Sequence, residues 1–129
     1  MASSARSCEF QQEWALDTRL ADRLDNVFAD WERETRIPIR IISGFRSDAE
    51  QIELGRKGRP TAPVSRSTHT VCPAQGADIR ISGFVTRLMK ARFGRIAVMN
   101  GLRWGGGSPV DDVGIPSDWN HLDLGPRAG

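Results

Sequence analysis

Leu16, Leu20, Leu24, Val27, Phe28 and Trp31 recur at spacings of three and four, so one face of a helix carries them all. Asp17, Arg19, Asp22, Arg23, Asp25, Asp30 and Arg33 fill the other face. A stripe of that size has to be covered, either by a sheet of the same chain or by a partner. The chain offers its own cover in two short β-branched runs, Ile37-Pro38-Ile39-Arg40-Ile41-Ile42-Ser43 and Gly76-Ala77-Asp78-Ile79-Arg80-Ile81-Ser82. Alternation in the second sets Ala77, Ile79 and Ile81 on one face and Asp78 and Arg80 on the other. Packing of the helix on such a sheet is the expected outcome.

The remaining elements follow from punctuation. Residues 1–8 are small and polar and are expected to be disordered, with the folded domain spanning 9–129. The first helix is expected from Glu9 to about Arg36, and Pro38 stops it. Ser47 or Asp48 caps a helix from Ala49 to Arg56, with Glu50 in its first turn. A loop rich in Pro, Ser, Thr and Arg then runs to Thr70. A helix from Phe84 to Phe93 is expected to bury Val85, Leu88 and Met89. Gly101 to Gly105 reads as a brief strand, Gly105 to Pro109 as a flexible loop, and Asn120 to Leu124 as the closing strand. Helices and strands mix without regular βαβ repetition. The fold class is therefore α+β, a small and mainly antiparallel sheet with flanking helices.

Composition bounds the function classes. At 129 residues the chain is one domain with room for a core. A formal charge of +2 is too weak to point to nucleic acid, though it suits an anionic polymer such as cell wall. No stretch reaches transmembrane length, so no membrane insertion is expected. Met1 to Ser7 lacks the apolar core of a signal peptide. Synthesis in the cytoplasm is expected, so that if the protein acts on cell wall, something else must carry it there. Cys8 and Cys72 read as free thiols in a reducing compartment, a disulfide being the alternative. A monomer is expected.

The chain has two histidines, His69 and His121, each beside acidic and turn-forming residues. Asp78 opens a strand, and Asp118 and Asp123 flank His121. Two imidazoles and a carboxylate are the ligand set of a catalytic zinc, which keeps one position open for water. His69, Asp78 and His121 would supply it. The bound water then loses its proton near neutral pH. Asp118 is placed to take that proton and pass it to the leaving amine, and Asp123, two residues past His121, to orient the imidazole. Cys72 is a rival ligand through the spacing His69-x-x-Cys72. Arg46, at the end of a strand, is either paired with Asp48 or Glu50 or clamps a substrate carboxylate or developing oxyanion. Trp104 and Trp119 either line a cleft or pack in the core.

In order, the chain presents Ser43-Gly44-Phe45-Arg46-Ser47, Gln51, Ser67-x-His69, Gly76-Ala77-Asp78-Ile79, Gly101-Leu102-Arg103-Trp104-Gly105-Gly106 and Asp118-x-x-His121-x-Asp123. This resembles the zinc D-alanyl-D-alanine carboxypeptidase and L-alanyl-D-glutamate endopeptidase family, phage endolysins included, over about residues 37–124. The resemblance implies a Hedgehog/DD-peptidase-like fold and one catalytic Zn2+ on His69, Asp78 and His121. It implies Asp118 as base and Arg46 as the residue that steadies substrate or transition state. Ser67, Gln51 and Trp119 would help bind a peptidoglycan peptide. The chain departs from the family pattern Ser-x-His-x-x-Gly-x-Ala-x-Asp, because eight residues separate His69 from Asp78. The expected reason is a local loop extension. A non-catalytic binding or virion structural module on the same fold is the alternative function.

Overall fold

The computed structural model describes residues 3–58, 62–64 and 66–126. Helix α1 spans Ala5–Trp14 and α2 spans Thr18–Thr35. Strand β1 (Ile39–Ser43), helix α3 (Asp48–Arg56), strand β2 (Gly76–Ile81), helix α4 (Arg87–Met99), strand β3 (Arg103–Trp104) and strand β4 (His121–Asp123) follow in that order. The four strands form one antiparallel sheet in the order β1-β2-β4-β3. The fold class is α+β, as expected. Among the described residues, no helix is long and apolar enough to cross a membrane.

The α2 stripe does what its periodicity demands. Leu20, Leu24, Val27, Phe28 and Trp31 are at most 2% exposed and meet Ile41, Ala77, Ile79, Ile81 and Leu122 of the sheet in one core. Helix α4 closes that core with Phe93, Ile96 and Ala97, and Phe93 meets Trp31 edge to face at 6.0 Å.

The long first helix is in fact two. Ala15 adopts a left-handed conformation, and Asp17 caps α2 by accepting from the Arg19 amide at 2.8 Å. Leu16, at the break, bridges to Ala74. The periodic stripe runs across the break, so periodicity alone does not reveal it. Residues 5–8, expected to be disordered, are helical instead. Ser4 caps α1, Arg6 pairs with Asp25 and Glu32, and Ser7 is fully buried against Asp22.

Helix α4 starts later and ends later than expected. Thr86 is its cap, accepting from the Met89 amide at 3.1 Å. Val85 and Met89 pack on the core, whereas Leu88 is 81% exposed. The expected flexible loop after Trp104 is a tight turn at Gly105–Gly107, closed by the Ser108 hydroxyl on the Gly105 carbonyl at 2.7 Å. Ser47 and Glu50 form the full reciprocal cap of α3.

Candidate metal centre and cleft

Register puts the site together. Asp78 stands opposite His121 across β2 and β4, and Arg103 stands opposite Asp123 across β3 and β4. Residues directly opposite in an antiparallel pair share a face. Ala77, Leu122 and Trp104 thus face the core, and Asp78, His121, Asp123 and Arg103 face the other side. That polar side is the floor of a cleft of about 600 Å3, also lined by Arg46, Gln51, Ser67, His69, Ser108 and Asp118. Its size is that of a small-ligand site. A second depression, of about 500 Å3, lies between α1 and β1 and holds neither histidine.

His69 reaches the floor from the loop before β2. Its Nδ1 lies 2.6 Å from the Gly44 carbonyl, which accepts only, so Nδ1 carries the proton and Nε2 presents a lone pair. The Ser67 hydroxyl accepts from the His69 amide at 3.1 Å and shapes that turn. The His121 ring is fixed from the opposite end. Its Nε2 lies 2.8 Å from Asp123 Oδ2, which leaves Nδ1 as the free lone pair. Thr68 Oγ1 also lies 3.3 Å from Nε2. Gly76 and Gly106 wall the ring. A Cβ on Gly106 would stand 2.8 Å from His121 Cδ2, and one on Gly76 would stand 3.0 Å from His121 Cε1 and collide with the Thr68 side chain.

Three potential ligand atoms therefore converge. His69 Nε2 is 3.3 Å from His121 Nδ1 and 3.4 Å from Asp78 Oδ1, and His121 Nδ1 is 3.0 Å from Asp78 Oδ1. Bonds of about 2.0–2.1 Å to a tetrahedral zinc would set ligand atoms about 3.3 Å apart, so the spacing fits that ion. His69, Asp78 and His121 can hold a metal ion. Cys72, the rival ligand, is exposed and stands outside this group.

The protonation states tell the same story. Burial opposes charge on His121, but the hydrogen bonds and charges of Asp123 and Asp78 outweigh it and raise its pKa to about 9. Burial likewise opposes ionisation of Asp78, and the hydrogen bonds of His121 and His69 overcome it, holding the carboxyl far below its ordinary range. The two carboxylates thus favour a cation at His121.

Asp123 is fully buried, and Arg103 grips both of its oxygens at 2.8 Å. Arg103 was not singled out in the sequence, because only strand register reveals its partner. Asp118 lines the cleft beside the triad. Desolvation raises its pKa, the Asp78 charge adds to this, and His121, His69 and Arg46 oppose it. Its amide donates to the Ser108 hydroxyl at 3.1 Å, a link that sequence reading also missed.

Arg46 donates its amide to the His69 carbonyl at 2.8 Å and lines the cleft. Its buried Nε has no hydrogen-bond partner among the described residues. Glu50 is committed to the α3 cap, and neither it nor Asp48 forms an ion pair with Arg46. Gln51 is 3% exposed and donates to the Ala62 carbonyl at 2.7 Å, so it braces the cleft wall. Trp119 is not part of the lining. Its ring meets Phe93 edge to face at 6.2 Å and lies under Lys90 at 5.2 Å, so core packing has claimed it. Trp104 donates its indole N–H to the Trp119 carbonyl at 2.7 Å and is likewise outside the lining.

The long interval between His69 and Asp78 has a structural use. Ala74 is fully buried, its amide donates to the Ala15 carbonyl, and its carbonyl accepts from the Asp17 amide, both at 2.8 Å. Gln75 returns to Thr68 at 2.9 Å. The extra residues dock on the break between α1 and α2 and leave Asp78 in register.

No family model matches the sequence, and no curated protein matches it. Among solved structures, the fold is similar to the crystal structure of the Serratia marcescens L-Ala D-Glu endopeptidase ChiX. The TM-score is 0.60 at 21% identity, covering 93% of this chain and 86% of that one. At that identity the likeness is one of fold.

Proposed function

We propose that this chain is a zinc-dependent peptidase that hydrolyses an amide bond in peptidoglycan stem peptides, in the manner of an L-Ala-D-Glu endopeptidase. The observation that carries the reading is the convergence of three lone pairs, from His69, Asp78 and His121, on the floor of an open cleft. The fold shared with an L-Ala D-Glu endopeptidase supports the substrate class. Cell-wall lysis, as by the phage endolysins whose motifs the sequence resembles, is the proposed setting. The observation behind a non-catalytic module was the long interval before Asp78, and its docking on the α1–α2 break removes that motive.

A zinc held by His69, Asp78 and His121 supplies Lewis acidity, activating water and polarising a carbonyl. The chain's own groups do the rest. Asp118 accepts the proton of the attacking water and delivers it to the departing amine. Its raised pKa brings it closer to the value such a shuttle needs. Arg46 donates to the substrate where negative charge rests or develops. Arg103 and Asp123 keep the His121 ring oriented throughout.

Digestion of peptidoglycan followed by mass analysis of the muropeptides tests this. Zinc-loaded protein is expected to release peptides cut at one amide bond, and a chelator to abolish the release. Asp118→Asn is expected to keep its metal and lose at least a hundredfold in rate. Full activity in a metal-retaining Asp118→Asn variant would sink the proposed mechanism.

A further inference from the structure

Besides the histidines, the charged residues lining the cleft are Asp78, Asp118, Asp123, Arg46, Arg66 and Arg103. Most are already committed. Asp123 and Arg103 neutralise each other. Asp78 belongs to the metal group, and Asp118 handles the proton. Two cations are left over, Arg46 and Arg66. Among the described residues neither forms an ion pair.

Arg66 is held in place by its neighbours. Its amide and that of Ser67 both donate to the Pro63 carbonyl at 2.9 Å. The Thr70 hydroxyl lies 2.7 Å from the Val64 carbonyl and 3.2 Å from that of Ser67. Gln51 ties the Ala62 carbonyl to α3. The segment that carries His69 into the site thus also presents Arg66 to the cleft, exposed and unspent. A guanidinium with no ion-pair partner among the described residues at the rim of a cleft, with a second one deeper in, matches a ligand with two separate anionic positions.

We propose that Arg66 is a specificity residue which receives a free carboxylate of an acidic peptide, while Arg46 serves the group nearer the metal ligands. The proposal rests on the peptidase reading above and narrows it. The preferred substrate carries an ionised carboxylate beside the scissile amide, and amidation of that carboxylate weakens binding. The carboxamide keeps the shape and loses the charge, so the contrast isolates Arg66.

The experiment uses two synthetic stem peptides that differ only in whether the D-glutamyl α-carboxyl is free or amidated. Their affinities for the zinc-loaded Asp118→Asn protein are measured by calorimetry, with and without Arg66→Gln or Arg66→Lys. The parent is expected to bind the free acid roughly tenfold more tightly than the amide. Arg66→Gln is expected to erase most of that gap while leaving amide affinity within about twofold, and Arg66→Lys to restore part of it. If Arg66→Gln binds the acid as tightly as the parent, or weakens both peptides alike, the inference is overturned. Turnover is read separately on the protein with Asp118 intact. Acid selectivity that follows Arg66 without cleavage would refute the peptidase reading alone. Cleavage without acid preference would refute the role of Arg66 alone.

Discussion

At the scale of single residues, the site is a problem in where protons sit. Gly44 accepts a hydrogen bond from Nδ1 of His69, and Asp123 accepts one from Nε2 of His121, so each ring in its neutral form turns a bare nitrogen toward Asp78. The grouping of His69, Asp78 and His121 was legible in the sequence, because few residue types ligate metal ions and this chain has two histidines. Arg103, Ser108 and Thr68 were not, because ordinary polar residues gain a role only from neighbours brought in by strand pairing and turns. Trp119 was misassigned for the converse reason: it sits between two site residues, but its ring packs on Phe93. Replacing Asp123 with Asn removes the anionic, acceptor-only partner that fixes the His121 tautomer, and zinc affinity is expected to fall about 10–100-fold in a competition titration. Unchanged affinity would show that Thr68 suffices.

The proton on His121 also sets a pH dependence. Its ordinary pKa of 6.5 rises to about 9 in the folded, metal-free chain. The protonated ring therefore stabilises the metal-free fold fully below about 6.5, and that contribution is lost as pH climbs through about 9. Zinc needs the neutral ring, so binding at pH 7 should expel a proton, with affinity rising until about pH 9. Calorimetry in buffers of different ionisation enthalpy counts that proton. Proton-neutral, pH-independent binding would contradict the assignment.

At the scale of elements, strong periodicity was readable and interruptions were not. The stripe of α2 and the alternation of β2 each predicted a buried face that the core confirms. The break at Ala15 and Leu16 escaped notice because the apolar spacing continues through it while the backbone does not. The shifted α4 reflects a competition between Val85, Leu88 and Met89, which read as one buried stripe, and Thr86, which caps the helix and leaves Leu88 exposed. The break also matters to the site, since it anchors the loop between His69 and Asp78 through Ala74. Asp17→Ala should remove the α2 cap at a cost of about 1 kcal/mol. A fall of about 4 °C in Tm, with zinc affinity within about twofold, is the expected result in a thermal melt. A large loss of zinc affinity would mean that the cap governs the Ala74 anchor as well.

At the scale of the whole molecule, one sheet separates two tasks. Its apolar face receives α2 and α4, and its polar face gathers the triad, Asp123 and Arg103 under an open cleft. The fold class followed from the sequence because both faces are written into alternating strands. The order β1-β2-β4-β3 did not, because short strands pair by register and packing that no single segment encodes. X-ray absorption at the zinc edge of the loaded protein tests the central claim most directly. One zinc per chain is expected, with only nitrogen and oxygen neighbours at about 2.0–2.2 Å, and His121→Ala should abolish the site. A sulfur neighbour at about 2.3 Å, or a spectrum unchanged in His121→Ala, would contradict it.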